Sequence, residues 1–326
     1  MSSPAVAPAS GHKAMQKALL GWYRHSRREL PWRHTRDPYA IWVSEIMLQQ
    51  TRVAAVVEKY EQFLQRFPTV KALAAAHLDD VLTVWSGLGY YRRARSLHQA
   101  SQVVMYHLHG KFPTNQAGWR QLPGIGRYTS AAIASIAFNE AVAVVDGNVE
   151  RVIERLCGER HEGEPLWDRA NELLAAQHPG DWNQAMMELG ATVCLPKQPQ
   201  CLLCPLHGWC KTRGATEPQP QAKRKRAELW YAIHAQEDRV LLVQRAVDHS
   251  LMAGMWELPS IPAQKEVEPV HRLRHSITDT DYAVFVLRGR ARKPVGKWVT
   301  HQEAHQLALT GLTRKILRLH FGREQA

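Results

Sequence analysis

The sequence predicts a multidomain chain of α and β structure, an all-α domain followed by a small α/β domain, and three observations carry that expectation. From about His12 to Arg213, apolar residues recur at three-to-four spacing. A polar, Pro-containing and basic stretch, KTRGATEPQPQAKRKRAE, then breaks the pattern, so that residues 214–228 read as a linker. From residue 229 to 326, short apolar runs with turn signals take over before a last helical period.

The opening MSSPAVAPASG (residues 1–11) is small, Pro-containing and uncharged, the composition of a disordered tail. YAIWVSEIMLQQ, RVAAVVEKYEQFLQRF and RRARSLHQASQVVMYHL are expected as helices, with ELPW, RFPTV, SGLGY and KFPTN as turns between them. LPGIGRYTSAA reads as a glycine hairpin feeding a helix, over about residues 121–134. Gly124 and Gly126 allow a tight approach there, and amides at such a helix start hold phosphate. AVAVVDGNVERVIERL runs from an apolar, strand-like piece into a helix. In the second domain, LWYAIHAQEDRVLLVQR resembles a hairpin turning at QEDR, WELPSI and DYAVFVL add β-type segments, and HQEAHQLALTGLTRKILRLH closes with helical periodicity.

Lys and Arg number 42 against 30 Asp and Glu, leaving +12 over 326 residues, an excess that favours polyanionic partners. The opening lacks the apolar core of a signal peptide, and no stretch approaches the roughly 18 apolar residues of a membrane span. An intracellular protein with no membrane partner is expected. Four of the five cysteines crowd into one segment, where a secreted disulfide scaffold would scatter them. Cys194, Cys201, Cys204 and Cys210 form C-x6-C-x2-C-x5-C, and four thiolates in so short a loop are best accommodated around a metal centre. Spacing alone leaves zinc and an iron–sulfur cluster as equals. Cys157, in VERVIERLC, is expected to be a packing residue.

Two carboxylates stand in unlike surroundings. On a helix, Glu45 has Ile41, Trp42, Leu48 and Gln49 as its neighbours at three and four residues. Desolvation there would raise its pKa and keep it protonated near neutral pH; the competing picture is a side chain curling to solvent at the edge of the stripe. Asp146 sits just before a helix, where an N-cap explains it well and the helix amides favour its anion. One neutral acid and one anion form the pair that glycosidic cleavage uses, provided the two meet in space.

Taken together, LPWR, SEIMLQQT, GLGYYRRAR, LPGIGRYTSAAI, VDGNVERV, NQAMMELGATVC and the four-cysteine loop resemble the helix-hairpin-helix superfamily of DNA glycosylases, most closely its adenine DNA glycosylases of the MutY type. The likeness runs over roughly residues 15–320. It implies a helix-hairpin-helix glycosylase domain whose cysteine loop holds a [4Fe–4S] cluster. It implies Glu45 as general acid toward the adenine ring and Asp146 as the group supporting the oxocarbenium-like sugar, with Asn148 and Tyr128 hydrogen-bonding around them. Glu188, Trp32, Arg33 and Leu48 match pocket positions, Arg28 and Leu88 join them as substrate contacts, and Gln50 and Tyr90 match residues that wedge into the base stack. Gly124 and Gly126 match the phosphate-binding hairpin.

Bifunctional relatives such as endonuclease III carry lysine at the position of Tyr128, and a lysine amine forms a Schiff base with the sugar before strand cutting. A phenol does not, so a monofunctional enzyme is implied, acting as a monomer on double-stranded DNA with A opposite 8-oxoguanine or G. Tyrosine here also occurs in thymine mismatch glycosylases, which makes T opposite G the alternative substrate. A catalytically silent iron–sulfur DNA-binding module is the alternative of another class, disfavoured by the intact Glu45 and Asp146. The second domain resembles the Nudix-like lesion-recognition domain of the family. Only Ile261 to Val270 separate WELPS from HRLRHS, too little for a pyrophosphate hydrolase signature. The family's Phe-Ser-His loop aligns with Ile277, Thr278 and Asp279, so an acceptor-only anion stands where a donor is usual. His275 is a second candidate for that contact, and a plain hairpin turn also explains Thr-Asp-Thr-Asp.

Overall fold

Met15, Leu19, Leu20 and Tyr23 give the first helix, α1 (Ala9–Ser26), one buried face. The structure, a computed structural model, describes residues 9–214, 224–246, 249, 252–289 and 296–322. Helix α1 thus begins inside the segment expected as a tail, because its first turn continues into that apolar stripe; residues 1–8 of the expected tail lie outside the described residues. Helices α2 (Pro38–Leu48), α3 (Val53–Arg66), α4 (Val70–Ala75), α5 (Leu78–Val84) and α6 (Arg92–Tyr106) follow. Next, α7 (Gln116–Trp119) and α8 (Arg127–Phe138) flank the glycine hairpin, and α9 (Gly147–Cys157), α10 (Glu164–Leu173) and α11 (Pro179–Thr192) complete the helical run.

The second part holds β1 (Lys225–Ile233), β2 (Ala235–Gln236), β3 (Arg239–Gln244), β4 (Trp256–Glu257), β5 (His271–Ile277), β6 (Thr280–Arg288), β7 (Lys297–Thr300), α12 (His301–His305) and α13 (Gly311–Phe321). The chain divides into two compact units, Met1–Ala75 with Ser96–Gln219, and Ala76–Arg95 with Pro220–Ala326. Helix α5 and the loop after it, which lie within the expected helical domain, therefore belong to the second unit.

In the first unit, α2 is buried on every side. Asp37 caps it by accepting from Tyr39 N, Pro38 occupies the first turn, and every residue from Tyr39 to Met47 is buried. It packs on α8, whose Thr129–Ile136 run of small and apolar residues permits close approach. Trp42 meets Trp119 edge-on at 5.6 Å, with Phe112 stacked behind it. A second core joins α1, α9, α10 and α11 through Leu19, Ile153, Ala170 and Leu189. The expected strand-like piece before α9 pairs with no strand. Side chains satisfy its backbone instead: Asn171 accepts from Ala143 N, and Asn183 accepts from Val144 N while donating to Val142 O.

In the second unit, the sheets run β1-β6-β5 and β2-β3-β4, with β7 also on β3. Two expectations are corrected here. Strand β1 starts at Lys225, inside the expected linker, because Lys225 N donates to Asp279 O and the strand then pairs in parallel with β6. The hairpin read in LWYAIHAQEDRVLLVQR is only β2 against β3, turning at Glu237 with φ 53°. The closing helical run also divides: Trp256 N donates to Ala308 O and Thr310 N to Trp256 O, which separates α12 from α13. The core of this unit lies among Tyr231, Val284, Val286, Val299 and Ile316.

Candidate active site

An open cleft of about 820 Å³ lies in the first unit. Glu45 lines it from α2, Tyr128 from the first turn of α8, Asp146 and Asn148 from the start of α9, and Glu188 from α11. Arg28, Trp32, Arg33, Leu48, Gln50, Gly124 and Gly126 line it as well. The two carboxylates read apart in the sequence therefore meet.

Glu45 is 5% exposed, which decides against the solvated alternative. Helix α2 offers it no wet face. Burial pushes its carboxyl up to about 7, with the Tyr128 hydroxyl pulling the other way and the Asp146 charge adding to the rise. Its Oε2 is buried without a hydrogen-bond partner. A carboxyl partly protonated at neutral pH, with one oxygen unclaimed, is suited to protonate a group entering the cleft.

Asp146 is the N-cap of α9. Its Oδ1 accepts from Asn148 N at 3.0 Å and Val149 N at 2.8 Å, and its Oδ2 accepts from Asn148 Nδ2 at 3.2 Å. The cap reading and the site reading are thus compatible, since the carboxylate that closes the helix also faces the cleft. Asn148 is held in turn by Arg151, whose Nη2 donates to Asn148 Oδ1 at 2.9 Å and to Gly190 O at 2.7 Å. Gly190 is glycine for closeness, because a Cβ there would stand 2.6 Å from Asn148 Cβ. The Tyr128 hydroxyl donates to Met187 Sδ at 3.3 Å, and burial raises its phenol well above the ordinary value. It is a neutral group.

Glu188 lines the cleft with its acceptors already engaged. It accepts from Arg28 N at 3.0 Å, Arg28 Nε at 2.8 Å, Arg28 Nη2 at 2.7 Å and Arg33 Nη2 at 2.7 Å. Burial would raise its carboxyl, and these two arginines overcome that and hold it at about 2. The carboxylate sets where the guanidiniums point.

The hairpin turns at Gly124, with φ 74°, where a Cβ would lie 2.3 Å from Ser96 Cβ. Gln50 and Tyr90 share a left-handed backbone, with φ 54° and 47°, which strains a non-glycine residue and persists only where neighbours enforce it. Tyr90 is 46% exposed, whereas Leu88 is buried. Leu88, Tyr90, Thr278 and Asp279 do not line this cleft; they belong to the second unit. Thr278 and Asp279 form the tip of the β5–β6 hairpin, where Thr278 has φ 51° and donates to Ile277 O, while the Asp279 carboxylate pairs with Lys225 Nζ at 3.2 Å. Sequence reasoning missed Arg151 and Met187. Arg151 was findable as the residue three after Asn148 on one helix face; nothing in the sequence marks Met187.

Cys194, Cys201, Cys204 and Cys210 face one cavity, and all are unpaired. Arg155 Nη1 donates to Cys194 Sγ at 3.4 Å and Arg213 N to Cys210 Sγ at 3.5 Å. Burial pushes the Cys204 thiol up to about 11, the Leu206 amide opposes this, and the other three sulfurs add to the rise. Cys157 is buried in the core of α9, as expected, with Arg169 Nε donating to its sulfur.

A helical unit with a glycine hairpin beneath a cleft that pairs a buried acid with a helix-capped carboxylate defines a base-excision glycosylase of the helix-hairpin-helix class. Residues 43–174 match the HhH-GPD superfamily of base excision DNA repair proteins. The adenine DNA glycosylase of Homo sapiens is 33% identical over 95% of this chain and 74% of its own length, and that of Mus musculus 34% over 94% and 78%. The chain belongs to the adenine DNA glycosylase family. Among solved structures, a thermostable thymine-DNA glycosylase superposes with a TM-score of 0.60 at 30% identity, over 64% of this chain and 99% of that one. A trapped endonuclease III–DNA covalent intermediate shares the fold, with a TM-score of 0.55 at 21% identity over 64% of this chain and 98% of its own. The chain is thus a DNA-binding enzyme of base excision repair that hydrolyses an N-glycosidic bond.

Proposed function

We propose that this enzyme releases adenine mispaired with 8-oxoguanine or guanine and leaves an abasic site. The observation that carries the reading is the unclaimed, buried Oε2 of Glu45 in the same cleft as the capped Asp146 carboxylate. Protonated Glu45 gives its proton to an adenine ring nitrogen. The C1′–N bond breaks with its electron pair going to the base, the sugar becomes oxocarbenium-like, and Asp146 balances that charge until water adds at C1′. Asn148 and the two α9 amides keep Asp146 aimed at the sugar. The target base must leave the duplex to reach the cleft, and Gln50 and Tyr90 serve as the wedges that replace it in the stack. Tyr128 offers a neutral phenol where strand cutting needs an amine, which supports release of the base without lyase chemistry.

The four cysteines fit a [4Fe–4S] cluster. The reading is supported by the four cysteines lining a shared cavity, with Arg155 Nη1 donating to Cys194 Sγ and Arg213 N to Cys210 Sγ. Bound there, the cluster would staple residues 194–210 into one loop; Arg155, donating to Leu195 O and Pro196 O at 2.7 Å each, holds the loop's first turn. Lesion reading is assigned to the Nudix-like second unit through the Thr278–Asp279 tip, where the Lys225 pairing offsets the Asp279 charge. Thymine removal opposite guanine is the second reading, favoured by the thymine-DNA glycosylase neighbour. A buried acid argues against it, because thymine leaves as a stabilised anion.

Single-turnover base release from duplexes with A opposite 8-oxoguanine, A opposite G and T opposite G, with and without hot alkali, separates the readings. Fast release from the first, seen only after alkali, is expected. Equal rates on the first two would remove the assignment of the Thr278–Asp279 tip, and activity on T opposite G alone would overturn the adenine reading.

A further inference from the structure

The segment that carries Tyr90 belongs to the same compact unit as the C-terminal residues, although the chain places it amid the catalytic helices. A buried chain of hydrogen bonds ties it to α13 and the loop before it. Arg314, on α13, donates to Ser86 Oγ. The Tyr91 hydroxyl donates to Leu309 O at 3.3 Å, which leaves the Ser86 hydroxyl as donor to the Tyr91 oxygen at 3.2 Å. Ser86 and Tyr91 are both buried, and Arg95 donates to Ala253 O on the same side. From the other side, Trp85 Nε1 donates to Gly89 O at 3.1 Å, and Arg93 Nη2 donates to Leu88 O at 3.1 Å and Gly89 O at 3.2 Å. The Arg93 guanidinium lies 5.4 Å from the centre of the Tyr90 ring.

Between these two anchors the backbone turns through Gly87, Gly89 and Tyr90, all at positive φ. A strained and exposed tyrosine holds one position only if its surroundings over-determine it. We propose that Arg314 and Tyr91 are positioning residues for Tyr90: the C-terminal unit sets the wedge loop, and so contributes to the step in which the base leaves the stack. This rests on the reading of Tyr90 as a wedge, and the experiment separates the two. Neither residue touches the reacting atoms.

The test uses the full chain and a duplex with A opposite 8-oxoguanine that carries 2-aminopurine beside the target adenine. Stopped-flow fluorescence follows extrusion and quenched samples follow adenine release. A second duplex places the adenine opposite an abasic site, where it is already unpaired. Tyr91→Phe keeps the ring and removes one oxygen, so it preserves the fold even if Arg314→Gln does not. Both variants are expected to slow extrusion about fivefold to tenfold, the loss of one or two buried hydrogen bonds, and to leave release from the unpaired adenine unchanged. Arg314→Lys should restore most of the rate. Tyr90→Ala/Tyr91→Phe should be no slower than Tyr90→Ala, because Tyr91 acts through Tyr90. If Tyr90→Ala is slow while Tyr91→Phe and Arg314→Gln extrude like wild type, the inference fails and the wedge reading stands. If Tyr90→Ala itself extrudes like wild type, the wedge reading fails and takes the inference with it. Additive slowing in the double variant, or equal slowing on both duplexes, overturns the inference by placing Tyr91 and Arg314 in general stability.

Discussion

At the scale of single residues, Glu45 joins activity and stability with opposite signs. Its carboxyl titrates at about 7, so base release should be level below that pH and fall about tenfold per unit above it as the proton is lost. A pH–rate profile under single-turnover conditions checks this, and a flat profile to pH 9 would remove Glu45 as the acid. Stability follows from the same shift. A carboxyl raised from 4.5 to about 7 favours the folded state below 4.5, and that advantage is lost as pH rises through 7. At pH 8 the ionised, buried Glu45 costs about 3 kcal/mol, so Glu45→Gln should melt at a higher temperature than wild type there and show no such gain at pH 4.5. The same variant should bind substrate DNA and release no base. Tyr128→Lys should add borohydride-trappable DNA adducts and some strand cutting, since it places an amine beside Glu45 and Asp146; no trapped adduct would count against the positional argument. The sequence made the Glu45 environment legible because helical spacing alone put apolar residues on both sides of it. The pairing of Glu188 with Arg28 and Arg33 joins residues about 160 apart, a separation for which no local pattern exists.

At the scale of elements, α9 connects more than its length suggests. Its N-cap is Asp146, its first turn carries Asn148, and Arg151 one turn on donates through Nε to Cys194 O at 2.8 Å. The same guanidinium bonds Asn148, so one side chain links the start of the cysteine loop to the partner of Asp146. Arg151→Gln should lower adenine release by about tenfold or more while leaving DNA affinity within about twofold, because it loosens the aim of Asp146 and its guanidinium is engaged by Cys194 O, Gly147 O, Asn148 Oδ1 and Gly190 O of the protein itself. Parallel losses in affinity and rate would point instead to a disturbed loop. The helices of the first unit were legible from apolar periodicity, and α9 also from its Asp cap. Strand β1 was legible over residues 229–233 but not at its start or in its pairing, because its first four residues are exposed and what holds them is the parallel register with β6, across about 55 residues. The break between α12 and α13 was hidden for a like reason: the Ala308 and Thr310 backbone bonds that cause it go to Trp256.

At the scale of the whole molecule, sequence order and spatial order part company at one place. Composition marked the change from helical to mixed structure over residues 214–228, but it could not show that residues 76–95 sit with the C-terminal unit, because SGLGY read as a turn between helices of one domain and no local pattern marks the distant partners of Ser86, Tyr91 and Arg95. This has a consequence for stability separate from catalysis. Without residues 225–326, Ser86 and Tyr91 would lose the Arg314 and Leu309 partners that satisfy them, and Arg95 would lose Ala253 O. Losing these ties exposes the segment to water and leaves little to hold it closed, so it should open locally while the core around Trp42 and Trp119 stays closed. A chain ending at residue 224 should therefore be cut by a broad-specificity protease first between about residues 84 and 95, sites that the full chain protects, and mass spectrometry of the early fragments reads this directly. Early cleavage spread evenly over the helical unit would show that the C-terminal unit supports the whole fold, and an intact 84–95 segment would show that the helical unit holds the loop by itself.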